Sequence, residues 1–196
     1  MTADAVESRY PKSLELRDGT AVTLQLMGPK DRDAILQFAG GLPADDLLFL
    51  RVDITSKAGV DDWLDNVKHG NSTSVLAYAG DTLVGYASVA RTPARWTRRV
   101  GELRVNVAAN HRRTGLGRTL TAEIFDVARA LGLKKLSAQM TPDQQGARSV
   151  FLHLGFQVEA LLTDWVEDRH GRARDLVVMS YDLEGFHDTM AEPLKL

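Results

Sequence analysis

Apolar positions along this chain change their spacing from two to three-and-four and back, and those changes divide it into elements. Leu14–Arg17 and Ala21–Leu26 lie on either side of Asp18-Gly19, a pair suited to a two-residue hairpin turn. Pro29 and Asp31 then open a helix reaching about Phe38. Pro43-Ala44-Asp45-Asp46 and Asp61-Asp62 have the acidic character of helix starts. They lead into Leu47, Leu48 and Leu50 in one case and Trp63, Leu64 and Val67 in the other. Ser74–Ala79 and Thr82–Ala90 are predicted strands joined at Gly80-Asp81, and Val100–Ala108 is a third, so an antiparallel meander is expected.

The second half is sharper. Leu116, Leu120, Ile124, Val127, Ala128 and Leu131 make one apolar helical face between Gly115-Leu116-Gly117 and the stop at Gly132. Lys135–Met140 is a short strand. Thr141-Pro142-Asp143 caps a second helix with Ala147, Val150, Phe151 and Leu154 on one stripe, ended by Gly155. Phe156–Glu167 and Ala173–Asp182 form a final hairpin around residues 168–172. The order is a meander, then strand-helix-strand-helix, then a hairpin. It predicts a mixed α/β domain over 14–183, with residues 1–13 and 184–196 as loosely held polar tails.

A length of 196 residues suits one domain, and 44% hydrophobic with 26% charged residues is ordinary for a globular chain. The chain has no cysteine, which rules out disulfides, thiolate-ligated metals and a thiol nucleophile and accords with a reducing, cytoplasmic setting. No run of 18 apolar residues or signal-peptide pattern is present, so no membrane association is expected. Net charge is −2, yet Arg91–Arg118 holds eight of the 24 basic residues and one acid, Glu102. An anion site is therefore concealed in a near-neutral total.

That site centres on Arg112-Arg113-Thr114-Gly115-Leu116-Gly117-Arg118, where a strand passes into a long helix. Two glycines permit close backbone approach, the first-turn N–H groups lack helical partners, and the helix dipole adds partial positive charge. The loop reads as a phosphate cradle. A Walker loop would need Gly-x-x-x-x-Gly-Lys-Ser/Thr, and the dinucleotide fingerprint would need a third glycine; neither is present. On the preceding strand, Glu102, Arg104 and Asn106 share one face and Leu103, Val105 and Val107 the other.

These residues resemble the GCN5-related N-acetyltransferases, the GNAT family. The likeness is carried by Val105-Asn106-Val107, by Arg112-Arg113-Thr114-Gly115-Leu116-Gly117 as the Gln/Arg-x-x-Gly-x-Gly/Ala signature, and by Ala147 to Phe156 with its Leu-Gly-Phe ending. It implies a GNAT-type fold, a central and mostly antiparallel twisted sheet flanked by helices, with acetyl-CoA as acyl donor and no metal. The resemblance places the pyrophosphate on the cradle with Arg118, pantetheine along the backbone of Val105 and Val107, and Gln144 and Phe151 beside the donor. Many relatives have Asn where this chain has Gln144 and an acidic Tyr where it has Phe151. Protonation of the departing thiolate is then left to water or Tyr181, or is dispensable.

Acyl transfer to an amine needs the amine neutral, and an amine of pKa near ~10 is protonated at pH 7. Glu102 stands about where the resemblance places a catalytic base; its plainer reading is a pair with Arg99 or Arg104 on a solvated face. A backbone N–H near Val105 would serve the developing oxyanion. The expected activity is direct acetyl transfer in a ternary complex to a small-molecule or protein amine, with a homodimer compatible. Rival readings are a non-catalytic acetyl-CoA sensor or scaffold, favoured by Phe151, and a nucleic-acid binder, which rests only on the Arg91–Arg99 loop with Trp96. Residues Asp164, Trp165, Asp168 and Asp175 mark a place where relatives often build the acceptor pocket. His69, His111, His153, His170 and His187 show no metal-ligand spacing. Phe38, Phe49, Trp63 and Phe125 read as core.

Overall fold

The computed structural model describes residues 6–47, 50, 52–92, 94–168 and 170–183. Its strands are β1 Lys12–Glu15, β2 Ala21–Leu26, β3 Ser72–Ala79, β4 Thr82–Arg91, β5 Val100–Val107, β6 Lys135–Met140, β7 Gln157–Glu167 and β8 Ala173–Asp182. The helices are α1 Arg32–Gly40, α2 Ala44–Leu47, α3 Lys57–Lys68, α4 Leu116–Ala130 and α5 Gln145–His153. All eight strands join one sheet in the order β1-β2-β3-β4-β5-β6-β8-β7. The predicted mixed α/β fold is present. No described helix is long and apolar enough to cross a membrane.

Strands β1 to β5 pair antiparallel as a meander. The α4 crossover then brings β6 parallel to β5, a connection that a short turn could not make. Period-two alternation divides the core between the two faces. Val75, Ala77 and Val89 pack with Leu116, Leu120 and Ile124 of α4, whereas Leu76 and Tyr86 pack with Phe38 of α1 and Trp63 of α3. Gly101 lets β5 sit close to that first core: a Cβ there would lie 2.5 Å from Val89 Cγ2 and 2.7 Å from Leu133 Cδ1.

Several expectations are corrected. Strand β1 lies two residues earlier than the alternation suggested, because Leu16 N–H already closes the turn onto Thr20 O at 2.8 Å. Helix α3 begins before Asp61, since the Ser56 hydroxyl accepts from Gly59 N–H at 3.0 Å and caps it. The apolar stripe of α5 only skirts the core: Phe151 and Leu154 pack against it half-buried, while Val150 is 49% exposed. Its cap is not the Thr141-Pro142-Asp143 break but Gln144, whose Oε1 accepts from Thr141 N–H at 3.1 Å.

The described part of the expected N-terminal tail is docked rather than loose. Val6 is buried in the core, and Arg9, Tyr10 and Lys12 reach the buried Glu123 carboxylate of α4 at 2.9, 3.0 and 2.7 Å. A carboxylate withdrawn from water needs such donors, which explains why polar residues hold this segment down. Leu48, expected on the helix after Pro43, and Phe49, expected in the core, lie outside the described residues, as do residues 1–5 and 184–196.

Candidate active site

The site is organised by β5, which is used along three of its sides. Its parallel register with β6 runs from Val100–Lys135 to Glu102–Ser137 and ends there, although β5 stays paired with β4 through Val107. Beyond Glu102 the two strands therefore diverge. The wedge between them is a cleft of about 80 Å³ lined by Leu103–Asn106 on one wall and Ala138–Met140 on the other, with Gln144, Ala147 and Phe151 over it. Backbone N–H and C=O groups freed from a ladder must find another partner, so this edge of β5 can receive an extended polar ligand. The partial exposure of α5 is thereby accounted for, because Ala147 borders the cleft and Phe151 reaches from the cleft to the core.

The cradle follows directly. Gly115 adopts φ +95° as the residue preceding α4, and Arg113 is also left-handed at φ +66°. Thr114 Oγ1 donates to His111 O at 2.8 Å and accepts from Leu116 N–H at 3.4 Å, which fixes the turn. Helix geometry leaves the Gly117 and Arg118 N–H groups without partners four residues back, pointing out of the α4 N-terminus. Arg113 and Arg118 are exposed beside it, and Arg118 also borders a groove shared with Lys12 and Arg17. Arg112 is turned elsewhere: its Nη2 pairs with Asp46 and its Nε donates to Val107 O at 3.3 Å.

On the opposite face of the sheet lies a cavity of about 280 Å³. The register places Tyr86 beside Asn106, Ser88 beside Arg104 and Ala90 beside Glu102. Glu102 and Arg104 line the cavity with Tyr86, Ser88 and Ala90, while Trp63 and Asn66 of α3 contribute from above. Glu102 does pair with Arg104, at 2.8 Å, but inside this cavity and not on a solvated face. Asn106 Nδ2 donates to Tyr86 Oη at 2.8 Å. Burial pushes the Tyr86 hydroxyl up to about 12, so it keeps its proton at neutral pH. Leu50 and Arg104 line both spaces, so the cleft and the cavity meet across β5.

Tyr86 is a site residue that sequence reasoning missed; Arg91, read as part of a basic loop, and Trp63, read as core, also border the cavity. The period-two face of Glu102, Arg104 and Asn106 pointed to a polar side of the sheet, but strand pairing was needed to set Tyr86 against it. Residues on the last hairpin play other parts. Asp168 accepts from His170 N–H, Arg172 N–H and Arg172 Nε, closing its turn, and Asp175 accepts from Asp164 N–H. Tyr181 packs between Phe125 and Phe156, at ring separations of 5.0 and 5.5 Å. Phe151 lies edge-on to Phe156. Among the described residues no group of three or more His, Asp or Glu is placed to hold a metal ion.

The N-terminus of α4, with first-turn N–H groups that lack helical partners, thus stands at the end of a strand that parts from its neighbour. The acetyltransferase (GNAT) family model matches residues 45–156, more than half of the chain, and the chain belongs to that family. No curated protein sequence matches it. Among solved structures, yncA of Salmonella typhimurium with its cofactor acetyl-CoA is 22% identical, with TM-score 0.70, covering 89% of this chain and 99% of that one. Ribosomal-protein-alanine N-acetyltransferase from Brucella melitensis is 25% identical, with TM-score 0.71, covering 81% and 98%. Spermidine N-acetyltransferase from Vibrio cholerae, in complex with CoA and spermine, is 17% identical, with TM-score 0.69, covering 83% and 96%.

Proposed function

We propose that this protein is an acetyl-CoA-dependent N-acetyltransferase acting on a primary amine by direct attack in a ternary complex. The observation that carries the reading is the meeting of cleft and cavity across β5, with Arg104 on both and Glu102 at the point where β6 departs. One space suits a donor and the other an acceptor, and direct transfer requires the two to touch. The residues present fit an acyl-CoA. Backbone groups of Val105 and Val107 would pair with the pantetheine arm, and the N–H groups of Gly115, Leu116, Gly117 and Arg118 with Arg113, Thr114 and Arg118 would take the pyrophosphate. Gln144 and Phe151 would wall the donor. Arg112 would join only after leaving Asp46, and Val107 O would have to exchange its Arg112 contact for the ligand.

Bound acetyl-CoA supplies the activated acyl group as a thioester; the remaining tasks fall to this chain. Glu102 takes the proton from the attacking amine, and Arg104 holds the carboxylate in place from 2.8 Å. A β5 backbone N–H at the open edge near Val105 donates to the acyl oxygen as charge grows there. Phe151 has no proton to give, and a thiolate whose conjugate acid has a pKa near ~8.5 can depart without one.

A donor-binding module without catalysis is the second reading, on the strength of Phe151. Acetyl-CoA at saturating concentration is expected to raise the melting temperature, and a panel of amines to release thiol in its presence. Absence of stabilisation would remove the donor assignment; stabilisation without turnover by any amine would leave the non-catalytic module.

A further inference from the structure

We infer that the acceptor entering the cavity beside Glu102 is a small amine that also carries an oxyanion, a carboxylate or phosphonate, which Arg91 and Arg104 bind. The inference rests on the acetyltransferase reading above and adds to it the class of acceptor. Its basis is the charge of the walls. Among the described residues the cavity is lined by two guanidinium groups and one carboxylate, Glu102. Among the described residues no group accepts from the buried Nε of either arginine. Buried cationic donors are ordinarily matched, and two guanidinium groups set against one carboxylate give this wall an excess of positive donors that suits an acceptor-rich anion.

Neither guanidinium is free to swing away. Arg91 donates through Nη2 to Gly70 O, and Arg104 donates through Nη2 to Glu102. Those contacts fix the planes and leave other N–H groups to address a ligand, in the forked pattern that suits a carboxylate or phosphonate. Spacing then limits the ligand further. Glu102 and Arg104 are two residues apart on one strand face and in contact, so the amine and the anion must be near neighbours within one small molecule, as in α- to γ-amino acids. A space of about 280 Å³ is at the small end of ligand pockets and agrees with that size. Trp63, Leu50, Val52 and Ile54 offer an apolar wall for the rest of the ligand. A polyamine is the wrong complement, because its added cations would face two fixed cations.

The test uses matched amines with the full-length protein and acetyl-CoA. The α-amino acids are compared with their amides, β-alanine with propylamine, and 2-aminoethylphosphonate with ethanolamine; putrescine and a lysine peptide complete the set. Expected is a kcat/KM at least tenfold higher for the anionic member of at least one pair, with the carboxylate and phosphonate arms telling which oxyanion is preferred. Arg91→Gln should raise KM for that acceptor at least tenfold while acetyl-CoA affinity stays within threefold, and Arg91→Lys should recover part of the loss. Acetyl-CoA binding checks that each variant is folded. Should no amine turn over, thermal shift with the same amines in the presence of CoA decides: stabilisation by anionic members only supports the inference. Equal or better performance by the uncharged partners, putrescine or the peptide overturns it, as does stabilisation by none of the amines. Loss of acetyl-CoA binding by the unaltered protein would instead strike the underlying donor reading.

Discussion

Replacing Glu102 by Gln removes the proposed base, while the amide oxygen can still accept from Arg104. A primary amine of pKa ~10.4 is neutral in about one molecule in 2,500 at pH 7, a deficit of ~4.6 kcal/mol. A positioned general base typically recovers about 10²–10⁴ in rate, so kcat/KM for the acceptor should fall by that factor at pH 7. The structural cost is smaller. The pair with Arg104 spans 2.8 Å between side chains 16% and 20% exposed, midway between a solvated bridge and a buried one. Loss of charge there should destabilise the fold by about 2 kcal/mol, or ~4–8 °C in melting temperature for a chain of this size. The two effects are separated by pH. Steady-state thiol release from the variant should climb about tenfold per unit as pH rises toward the amine pKa, because free amine then replaces the missing base. Acetyl-CoA affinity should stay within threefold. A variant retaining a third or more of wild-type kcat/KM at pH 7, or showing no steeper pH dependence than wild type, would refute the assignment.

Gly115→Ala forces a Cβ onto a residue at φ +95°, costing ~1–2 kcal/mol by the left-handed penalty, and should weaken acetyl-CoA binding at least tenfold by calorimetry as the N–H groups of the turn shift. Glu123→Ala strips Arg9, Tyr10 and Lys12 of their shared acceptor, so differential scanning should show a loss of about 3 kcal/mol, and hydrogen exchange should rise across residues 6–13. Acid unfolding offers a signed test. Burial acts to raise the Asp168 carboxyl, but hydrogen bonds from Arg172 and the His170 N–H prevail and hold it well below the usual range. A depressed pKa gives stability that is complete above the unfolded value of ~3.9 and is lost as pH falls below it. Asp168→Asn should therefore melt lower than wild type at pH 7, and the gap should narrow between pH 4 and 2.

Legibility followed the range of the forces involved. Helix α4 was readable because its apolar stripe and flanking glycines are local, and the same locality exposed the phosphate cradle at its start. The strands of the meander were readable from period-two alternation. Helix α5 was readable as a stripe of Ala147, Val150, Phe151 and Leu154, but not its second task, since such a stripe looks identical whether it only covers a core or also borders a cleft. The docking of Arg9, Tyr10 and Lys12 was invisible because their partner is 111 or more positions away, and nothing near them announces a buried glutamate. The α3 start was obscured for a nearer reason: Ser56 caps it by its hydroxyl alone, whereas the acidic pair Asp61-Asp62 lies inside the helix.

The cavity was half legible, and the missing half is what sets a cleft and a cavity on either side of β5. Alternation puts Glu102, Arg104 and Asn106 on one face of the strand, and it puts Leu103, Val105 and Val107 on the other. It cannot say that Tyr86, Ser88 and Ala90 stand opposite the first set, because that depends on register with β4. Nor can it say that β6 abandons the strand after Glu102, which depends on how the α4 crossover returns the chain. Once both are known, the division of labour follows. Alternate side chains of one strand hold the core and face the cavity proposed for the acceptor, while its freed backbone edge faces the cleft proposed for the donor. A one-residue slip of β5 would send Glu102 and Arg104 into the α4 core and bring Val105 to the cavity. Gly101 resists such a slip, because any side chain moved into its place would collide with Val89 and Leu133. The residue that keeps β5 in register thus stands next to the proposed base, and packing on one face of the sheet fixes the chemistry on the other.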